Sequence, residues 1–199
     1  MKEIISIITL PVLAGLLLFF IPEKFRTSKG LVALLVSIIT GYLTVVTYSS
    51  GNQLLRLNEL SAGSGLSVFG IDLLHDAGRY IAFNRDNLSK LIALSVSIFA
   101  FLILLYSIVY IKTGKIKNYC SWFLITLGCA YGAVLSDNLL MFLAFWGVLG
   151  ITLYKLIHGY NEESSATAKK TLILIGASDS IMIVGIAIIW RITGSRGLV

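Results

Sequence analysis

Long apolar runs divide this chain, and short polar segments separate them. A helix rises about 1.5 Å per residue, so about 20 residues cross a hydrocarbon core roughly 30 Å thick. Runs of about this length or longer occupy residues 4–21, 31–48, 87–111, 119–157 and 169–190. The pattern therefore predicts an all-α integral membrane protein.

The run at residues 119–157 is nearly twice as long as one span. Its only interruption is Ser136, Asp137 and Asn138, which predicts a tight turn between two helices. The chain then has about six transmembrane helices. A polar loop at residues 161–165 is expected to lead into the sixth helix, which starts near Ala166.

The first apolar run, residues 4–21, lies where a secretory signal peptide would lie, but the residues on either side of it differ from those of a signal peptide. Only Lys2 and Glu3 precede it, the basic cluster follows it, and no small-x-small cleavage site is present. A signal peptide has its basic residues in front and a cleavage site behind. Residues 4–21 are therefore predicted to be a retained span.

Residues 49–86 form the one long polar segment. Two short patterned runs, residues 66–74 and 79–84, flank turn-like residues 75–78 and predict a small β-hairpin on the extracytoplasmic face. His75 and Asp76 are expected to be turn residues rather than a catalytic pair, because no nucleophile accompanies them. The predicted organisation is helices 1–2 in residues 1–48, this loop in residues 49–86, and helices 3–6 in residues 87–199.

Composition and charge agree with a membrane protein. Hydrophobic residues make up 57% of the chain and charged residues 13%, about half the charge of a soluble domain. The net charge of +6 does not indicate nucleic acid, because Lys and Arg cluster between the spans. The chain is expected to lie in the cell inner (cytoplasmic) membrane, and by the positive-inside rule both termini are expected on its outer side. Membrane lipids are expected partners.

Residues that could hold a metal or carry a reaction are sparse. Cys120 and Cys129 lie nine residues apart, which on one helix separates them by about 13 Å and points them in opposite directions. They cannot form a disulfide with each other. His75 and His158 are scattered, so no metal and no other cofactor is expected. No catalytic motif is present, so the chain is not predicted to have an enzyme active site of its own.

Asp179 is an acidic residue in the middle of the last apolar run. A charge at the centre of a membrane helix costs on the order of 3 kcal/mol, so its presence indicates a functional group. The alternative is a protonated side chain that bonds to Ser178, Ser180 or a neighbouring helix and only holds helices together. Because Lys170 lies nine residues away and points to the opposite side, a partner for Asp179 must come from another helix.

Four further positions have weaker signals. Lys90 and Lys155 lie near the ends of their spans and are expected to extend to the lipid headgroups, with an ion-path role for Lys90 as the less favoured alternative. Gly128 and Gly132 have the small-xxx-small spacing that lets a neighbouring helix approach closely.

Four segments carry a resemblance to a known family: residues 87–89 (NLS), 133–147 (AVLSDNLLMFLAFWG), 150–157 (GITLYKLI) and 168–188 (AKKTLILIGASDSIMIVGIAI). They resemble the N-terminal part of the antiporter-like, proton-pumping membrane subunits. Those are the subunits of respiratory complex I, of Mrp-type cation/proton antiporters and of membrane-bound energy-converting hydrogenases. The Asp-Asn pair at the turn and the Lys-Lys, Gly, Asp pattern of the sixth span are the most specific parts.

The resemblance implies a fold of about fourteen helices with two inverted repeats, each holding half of a proton path. This chain would hold the leading helices and part of the first repeat. Asp179 matches the family's acid in the sixth span, and Lys170, Lys155 and Asn138 are further candidates for the ion pathway. Other membrane subunits of a multisubunit complex are the implied partners.

The sequence departs from the family at two places. The family has a glutamate after a tryptophan on the fifth span, paired with a lysine two helices later, whereas Gly147 follows Trp146 here. The helix that holds that lysine would lie beyond Val199. We therefore expect a fragment, a split subunit or a truncated version of a longer protein.

Three functions follow as hypotheses. The first is a membrane subunit of a redox-driven or antiporter complex, such as an NADH–quinone oxidoreductase, that moves H⁺ or Na⁺ along a path around Asp179. Any redox chemistry would then belong to partner subunits. The alternative is a structural or assembly subunit, or a truncated paralogue, that no longer pumps ions. An unrelated six-span transporter would need an inverted repeat, which the spans do not visibly show.

Overall fold

A computed structural model of the chain describes residues 2–22, 26–49, 54–56, 82–84, 86–110, 118–158 and 162–193. Six helices and two short strands lie in these ranges. They are α1 (Lys2–Phe19), α2 (Arg26–Ser49), β1 (Leu54–Arg56), β2 (Ala82–Asn84), α3 (Asn87–Tyr110), α4 (Tyr119–Leu135), α5 (Leu139–Ile157) and α6 (Glu162–Thr193). The predicted all-α membrane architecture is confirmed, including the tight turn between α4 and α5.

Four of these helices are long and apolar enough to cross a membrane by length and composition. The spans are Ser28–Tyr48, Asn87–Ser107, Leu139–Ile157 and Glu162–Ile189. Ile4–Phe19 of α1 and Tyr119–Leu135 of α4 are shorter apolar helices, and they pack against each other. The two shorter helices therefore lie side by side within the bundle.

Helix α4 is at the centre of the fold. It packs against α1, α2, α3 and α5, and ten of its 17 residues are buried. A helix that is apolar on all sides is typical of one surrounded by other helices. Cys120 and Cys129, both on α4, are not joined by a disulfide bond.

Glycines bring α1 and α4 into backbone contact. A Cβ atom added at Gly15 would lie 2.8 Å from a backbone oxygen of α4, and one added at Gly128 would lie 2.9 Å from a backbone oxygen of α1. One added at Gly132 would instead meet the Phe145 ring of α5 at 2.5 Å. The predicted close approach at Gly128 and Gly132 is therefore present, but it serves two different neighbouring helices.

The two strands form a small antiparallel sheet in which Leu54 lies opposite Asn84 and Arg56 lies opposite Ala82. The strand predicted at residues 79–84 overlaps β2, but the described partner of β2 is Leu54–Arg56. The pairing follows from helix packing, because α2 and α3 lie side by side and bring the chain after α2 close to the chain before α3. The predicted strand at residues 66–74 and the predicted turn at residues 75–78 lie outside the described residues.

Strand β2 docks on the turn between α4 and α5. Phe83 forms an antiparallel bridge with Ser136, and Asn84 Nδ2 donates a hydrogen bond to Asp137 Oδ1 at 3.0 Å. The Phe83 side chain is buried. We call this end of the bundle, defined by residues 136–138, the turn end.

Helices α5 and α6 extend from the bundle. Helix α5 packs against α4 and α6, and most side chains of α6 are exposed. Helix α6 begins at Glu162, so residues 162–165 are helical, and the loop predicted there and the predicted start near Ala166 were wrong. Glu162 and Glu163 occupy its first turn, where negative charge stabilises a helix N-terminus.

Candidate functional site

Asp179 lies on the face of α6 that packs against α5. The residues on this face recur every three or four positions and are less exposed than their neighbours: Ala168, Thr171, Ile175, Asp179, Met182 and Ile186. Residues at this spacing share one side of a helix. The carboxyl group of Asp179 therefore sits at the contact between α5 and α6.

Trp146 of α5 holds this carboxyl group. Its indole Nε1–H donates a hydrogen bond to Asp179 Oδ1 at 2.9 Å, and its ring stacks on Phe142 with centroids 5.5 Å apart. The expectation that a partner for Asp179 comes from another helix is confirmed. An indole N–H can only donate, so it stabilises a carboxylate without neutralising its charge.

Gly147 follows Trp146, at the position where the resemblance leads us to expect a glutamate. A Cβ atom added there would have no described atom within 4 Å. The position is open on the surface of α5, and the site is built from one carboxyl group and one indole.

Lys155 and Lys170 lie at one level of the α5–α6 pair. Lys155 is nine residues from Trp146 on α5, and Lys170 is nine residues from Asp179 on α6. Because the two helices are antiparallel, both lysines lie at the same level, about 13 Å from the Trp146–Asp179 hydrogen bond, and on the opposite side of their helices. Both lysines are exposed. The structure does not bring either of them to Asp179.

The ammonium group of Lys155 lies against aromatic rings. Its Nζ is 5.9 Å from the Trp122 ring centroid and 5.8 Å from that of Tyr154. Contacts within about 6 Å of an aromatic face are favourable for a cation. Lys155 therefore contacts α4, whereas Lys170 lies on the outer surface of α6.

Asn138 caps the N-terminus of α5. It is 2% exposed, and its Oδ1 accepts a hydrogen bond from the backbone N–H of Leu140 at 2.9 Å. An oxygen-bearing side chain at this position satisfies one of the free N–H groups of the first turn. The cap explains why the chain turns sharply after Asp137 and resumes as a helix.

Replacing Asn138 with Ala is expected to destabilise the protein by about 1 kcal/mol, the usual cost of losing an N-cap. Thermal unfolding of the purified protein in detergent measures this difference. Asn138→Ser keeps a capping oxygen and is the control, with most of the stability retained. Equal melting of the Ala variant and the unaltered protein would show that the cap contributes nothing.

Sequence reasoning missed two buried lysines. Lys29 is 2% exposed and donates from Nζ to Asn118 Oδ1 at 3.2 Å. Lys90 is 6% exposed, so the expectation that it extends to the lipid headgroups was wrong. It lines an interior cavity with Thr44 and Thr47 of α2, at the end of the bundle where β2 docks on the α4–α5 turn. The three- and four-residue spacing of polar positions on α2 is the signal that could have indicated a polar interior.

Residues 136–199 match the sequence profile of the family described as "NADH:quinone oxidoreductase/Mrp antiporter, TM". The match begins at the α4–α5 turn and includes α5 and α6. It therefore covers Trp146, Asp179 and the other candidate residues.

Two relatives and one solved structure are similar to larger parts of the chain. The A subunit of the Na⁺/H⁺ antiporter of Alkalihalophilus pseudofirmus is 31% identical over 121 residues, covering 57% of this chain and 15% of the relative. The A/B subunit of the probable K⁺/H⁺ antiporter of Rhizobium meliloti is 24% identical over 201 residues, covering 99% of this chain and 19% of the relative.

A chain of the archaeal membrane-bound sulfane sulfur reductase, a respiratory membrane complex, has a similar fold. The TM-score is 0.74 at 20% sequence identity, and the match covers 97% of this chain and 28% of the other. This chain thus spans less than a third of the solved chain and less than a fifth of each of the two antiporter relatives.

Proposed function

Because residues 136–199 match the family of NADH:quinone oxidoreductase and Mrp antiporter membrane subunits and the chain is similar to antiporter A subunits, we propose that it belongs to this family and forms part of an ion-translocating subunit. Asp179 is the group that carries the ion. The observation that supports this role is the hydrogen bond from Trp146 to its carboxyl group.

A carboxyl group inside a membrane helix can alternate between an ionised form and a form that has taken up a proton or a cation. The ionised form is stabilised by a donor from α5, since a hydrogen bond to a charged group contributes roughly 1.5–3 kcal/mol. Trp146 leaves the charge of the carboxylate in place. The second oxygen, Oδ2, can then receive H⁺ or Na⁺.

Lys155, Lys170 and Asn138 are secondary candidates on the same path. The two lysines lie at one depth, about 13 Å from the Asp179 level, and Asn138 lies at the turn end. Positive charge at the lysine level would attract an anionic group from a neighbouring helix and would repel a passing cation. These residues would therefore control how an ion reaches or leaves Asp179.

Other membrane helices complete the site. Helix α6 exposes large apolar side chains along much of its length, including Ile173, Leu174, Ile181 and Ile192. Further helices of a longer chain or of partner subunits would cover the Asp179 region and exclude lipid from it. In this arrangement the protein lies in the cell inner membrane with both termini outside, and redox chemistry belongs to partner subunits.

Trp146→Phe tests the proposed function in the assembly purified from native membranes by a tag on this chain. The variant keeps an aromatic ring beside Phe142 but loses the N–H donor, so ion-coupled transport in proteoliposomes is expected to fall about tenfold, equivalent to about 1.4 kcal/mol. Phe142→Leu is the matched control, because it removes the ring contact and keeps the donor. Equal losses in the two variants would show that packing, not the hydrogen bond, matters.

The second candidate function is a structural subunit that has lost pumping, and Gly147 favours it. In that case the Trp146–Asp179 bond only joins α5 to α6. Trp146→Phe would then lower the melting temperature of the assembly and leave the transport rate per assembled complex unchanged.

A further inference from the structure

A groove lies between α2 and α3 on the surface of the bundle, and its volume is about 310 Å³. Helix α2 lines one side of it with Ser37, Ile38, Gly41 and Val45, and four residues of α3, including Ser97, line the other. The α2 side extends over about 12 Å along the helix axis. The described residues that line the groove therefore belong to neither α5 nor α6, which hold the Trp146–Asp179 pair.

The groove lies at the depth of the hydrocarbon core. Gly41 is 13 residues from the start and seven from the end of the span Ser28–Tyr48, and Ser97 is at the middle of the span Asn87–Ser107. Large apolar side chains form its rim, with Val45 54% exposed and Ile98 53% exposed. Inside a membrane, this surface must contact either lipid chains or another helix.

The floor of the groove has no bulky side chain. A Cβ atom added at Gly41 would meet only one described atom, Ser97 Cβ at 3.8 Å. Ser37 and Gly41 have the small-xxx-small spacing that lets a further helix approach closely. Leu35 and Ile39, exposed positions of α2 outside the groove, are large. The small residues on this part of α2 are therefore found where a neighbouring helix could pack.

Ser37 needs a hydrogen-bond acceptor. The hydroxyls of Thr40 and Thr44 donate to carbonyls one turn earlier on α2, at 3.0 and 2.8 Å. Ser37 is 1% exposed, and its Oγ has no hydrogen-bond partner among the described residues. Because the hydrocarbon core contains no water to bond this hydroxyl, the acceptor must come from whatever fills the groove.

A lipid chain would fill the groove without supplying that acceptor. Ser37 is nine residues from the nearer end of its span, about 13 Å along the helix, whereas the oxygen atoms of a lipid lie in the interfacial regions outside the hydrocarbon core. A helix can supply an acceptor at this depth, because each backbone carbonyl has two lone pairs and its helical bond uses one. The chemistry of the groove therefore favours a helix.

We propose that the groove between α2 and α3 binds a membrane-spanning helix of another subunit, which packs on Gly41 and presents an oxygen atom to the Ser37 hydroxyl. In this chain α5 packs against α4 and α6 packs against α5, so the helices after α4 lead away from the groove. The inference rests on the proposed multisubunit assembly. It assigns α2 and α3 an assembly surface that is separate from the site on α5 and α6.

Site-specific photocrosslinking in the assembly purified from native membranes tests this proposal. A diazirine-bearing aliphatic residue replaces Ile38 in one variant and Ile39 in the other. These neighbours are 46% and 47% exposed, but only Ile38 lines the groove. Crosslinks to a membrane-spanning peptide of another subunit, identified by mass spectrometry, are expected to be at least about fivefold more abundant from position 38, where the helix packs. Crosslinks from position 38 only to lipid, to a second copy or to another segment of this chain would overturn the proposal.

Gly41→Leu fills the groove and is expected to lower the crosslinking of position 38 to that helix at least about fivefold, because close packing needs a small residue there. Ile39→Phe adds volume to α2 outside the groove and is the matched control, with crosslinking unchanged. Unchanged crosslinking in Gly41→Leu would contradict packing on Gly41.

Ser37→Ala keeps the floor small but removes the hydroxyl, so a smaller loss of crosslinking, about threefold, is expected from one hydrogen bond between helices. No loss in this variant would contradict the bond to Ser37. Crosslinking reports contact and not transport, so the two proposals fail separately. Crosslinks only to lipid in an assembly that transports ions would overturn this inference alone, and normal transport in Asp179→Asn would leave it intact.

Discussion

Asp179→Asn is expected to lower ion-coupled transport by about 100-fold or more, the range seen when a group that takes up and releases a proton is removed. The amide oxygen of the introduced asparagine can still accept the Trp146 hydrogen bond, so the α5–α6 contact should persist. Only the charge and its exchange with an ion are lost. Transport by the assembly in proteoliposomes, with an imposed ion gradient, measures the effect.

Two variants make this experiment decisive. Asp179→Glu retains a carboxyl group and is expected to restore part of the transport that the Asn variant loses. Asp137→Asn is the matched control, because Asp137 is exposed at the turn and bonds to Asn84 outside the membrane spans. Full transport in Asp179→Asn, with normal assembly, would support the structural-subunit alternative.

Gly128→Ala is expected to destabilise the α1–α4 contact by about 1–3 kcal/mol, the usual cost of overpacking an interior. Its new Cβ would meet the Ile8 carbonyl oxygen at 2.9 Å and a methyl group of Val12. A backbone atom cannot rotate away as a side chain can, so the helices must separate. Gly15→Ala is expected to have a similar effect from the other helix.

The matched control for this packing prediction is Gly41→Ala on α2. Its nearest neighbour would be Ser97 Cβ at 3.8 Å, an ordinary contact, so the variant should be neutral or more stable by about 0.4–1 kcal/mol. Gly132→Ala should cost less than Gly128→Ala, because the Phe145 ring can move. Thermal unfolding of the purified protein measures all four variants, and equal melting of Gly128→Ala and Gly41→Ala would refute the close contact.

The unusual environment of Asp179 was predictable from the sequence, because a carboxylate in the middle of a long apolar run cannot lie on a water-exposed surface. Its partner was not predictable. Trp146 is 33 residues away, and the pairing depends on the register of α5 against α6, which the loop between them and the packing of both helices decide. Periodicity reports which face of a helix is buried, and it does not say which neighbour covers that face.

Lys90 is a second residue whose environment could not be predicted from the sequence. A lysine four residues into a span usually extends to the headgroups, and nothing near it in sequence indicates otherwise. At that end of the bundle β2 docks on the α4–α5 turn, and both come from other parts of the chain. Lys90 is buried beside Thr44 and Thr47, although its position in the sequence predicts an exposed side chain.

The sequence by itself determined the membrane-spanning character, the helices and the turn at residues 136–138, because span length and turn chemistry act over a few neighbouring residues. It also identified Asp179 as an unusual charge. Only the tertiary structure decided the Trp146–Asp179 bond, the two neighbours of Gly128 and Gly132, and the burial of Lys90 beside Thr44 and Thr47. Those features depend on contacts between helices distant in sequence, and such contacts are fixed by the shapes of whole packed faces.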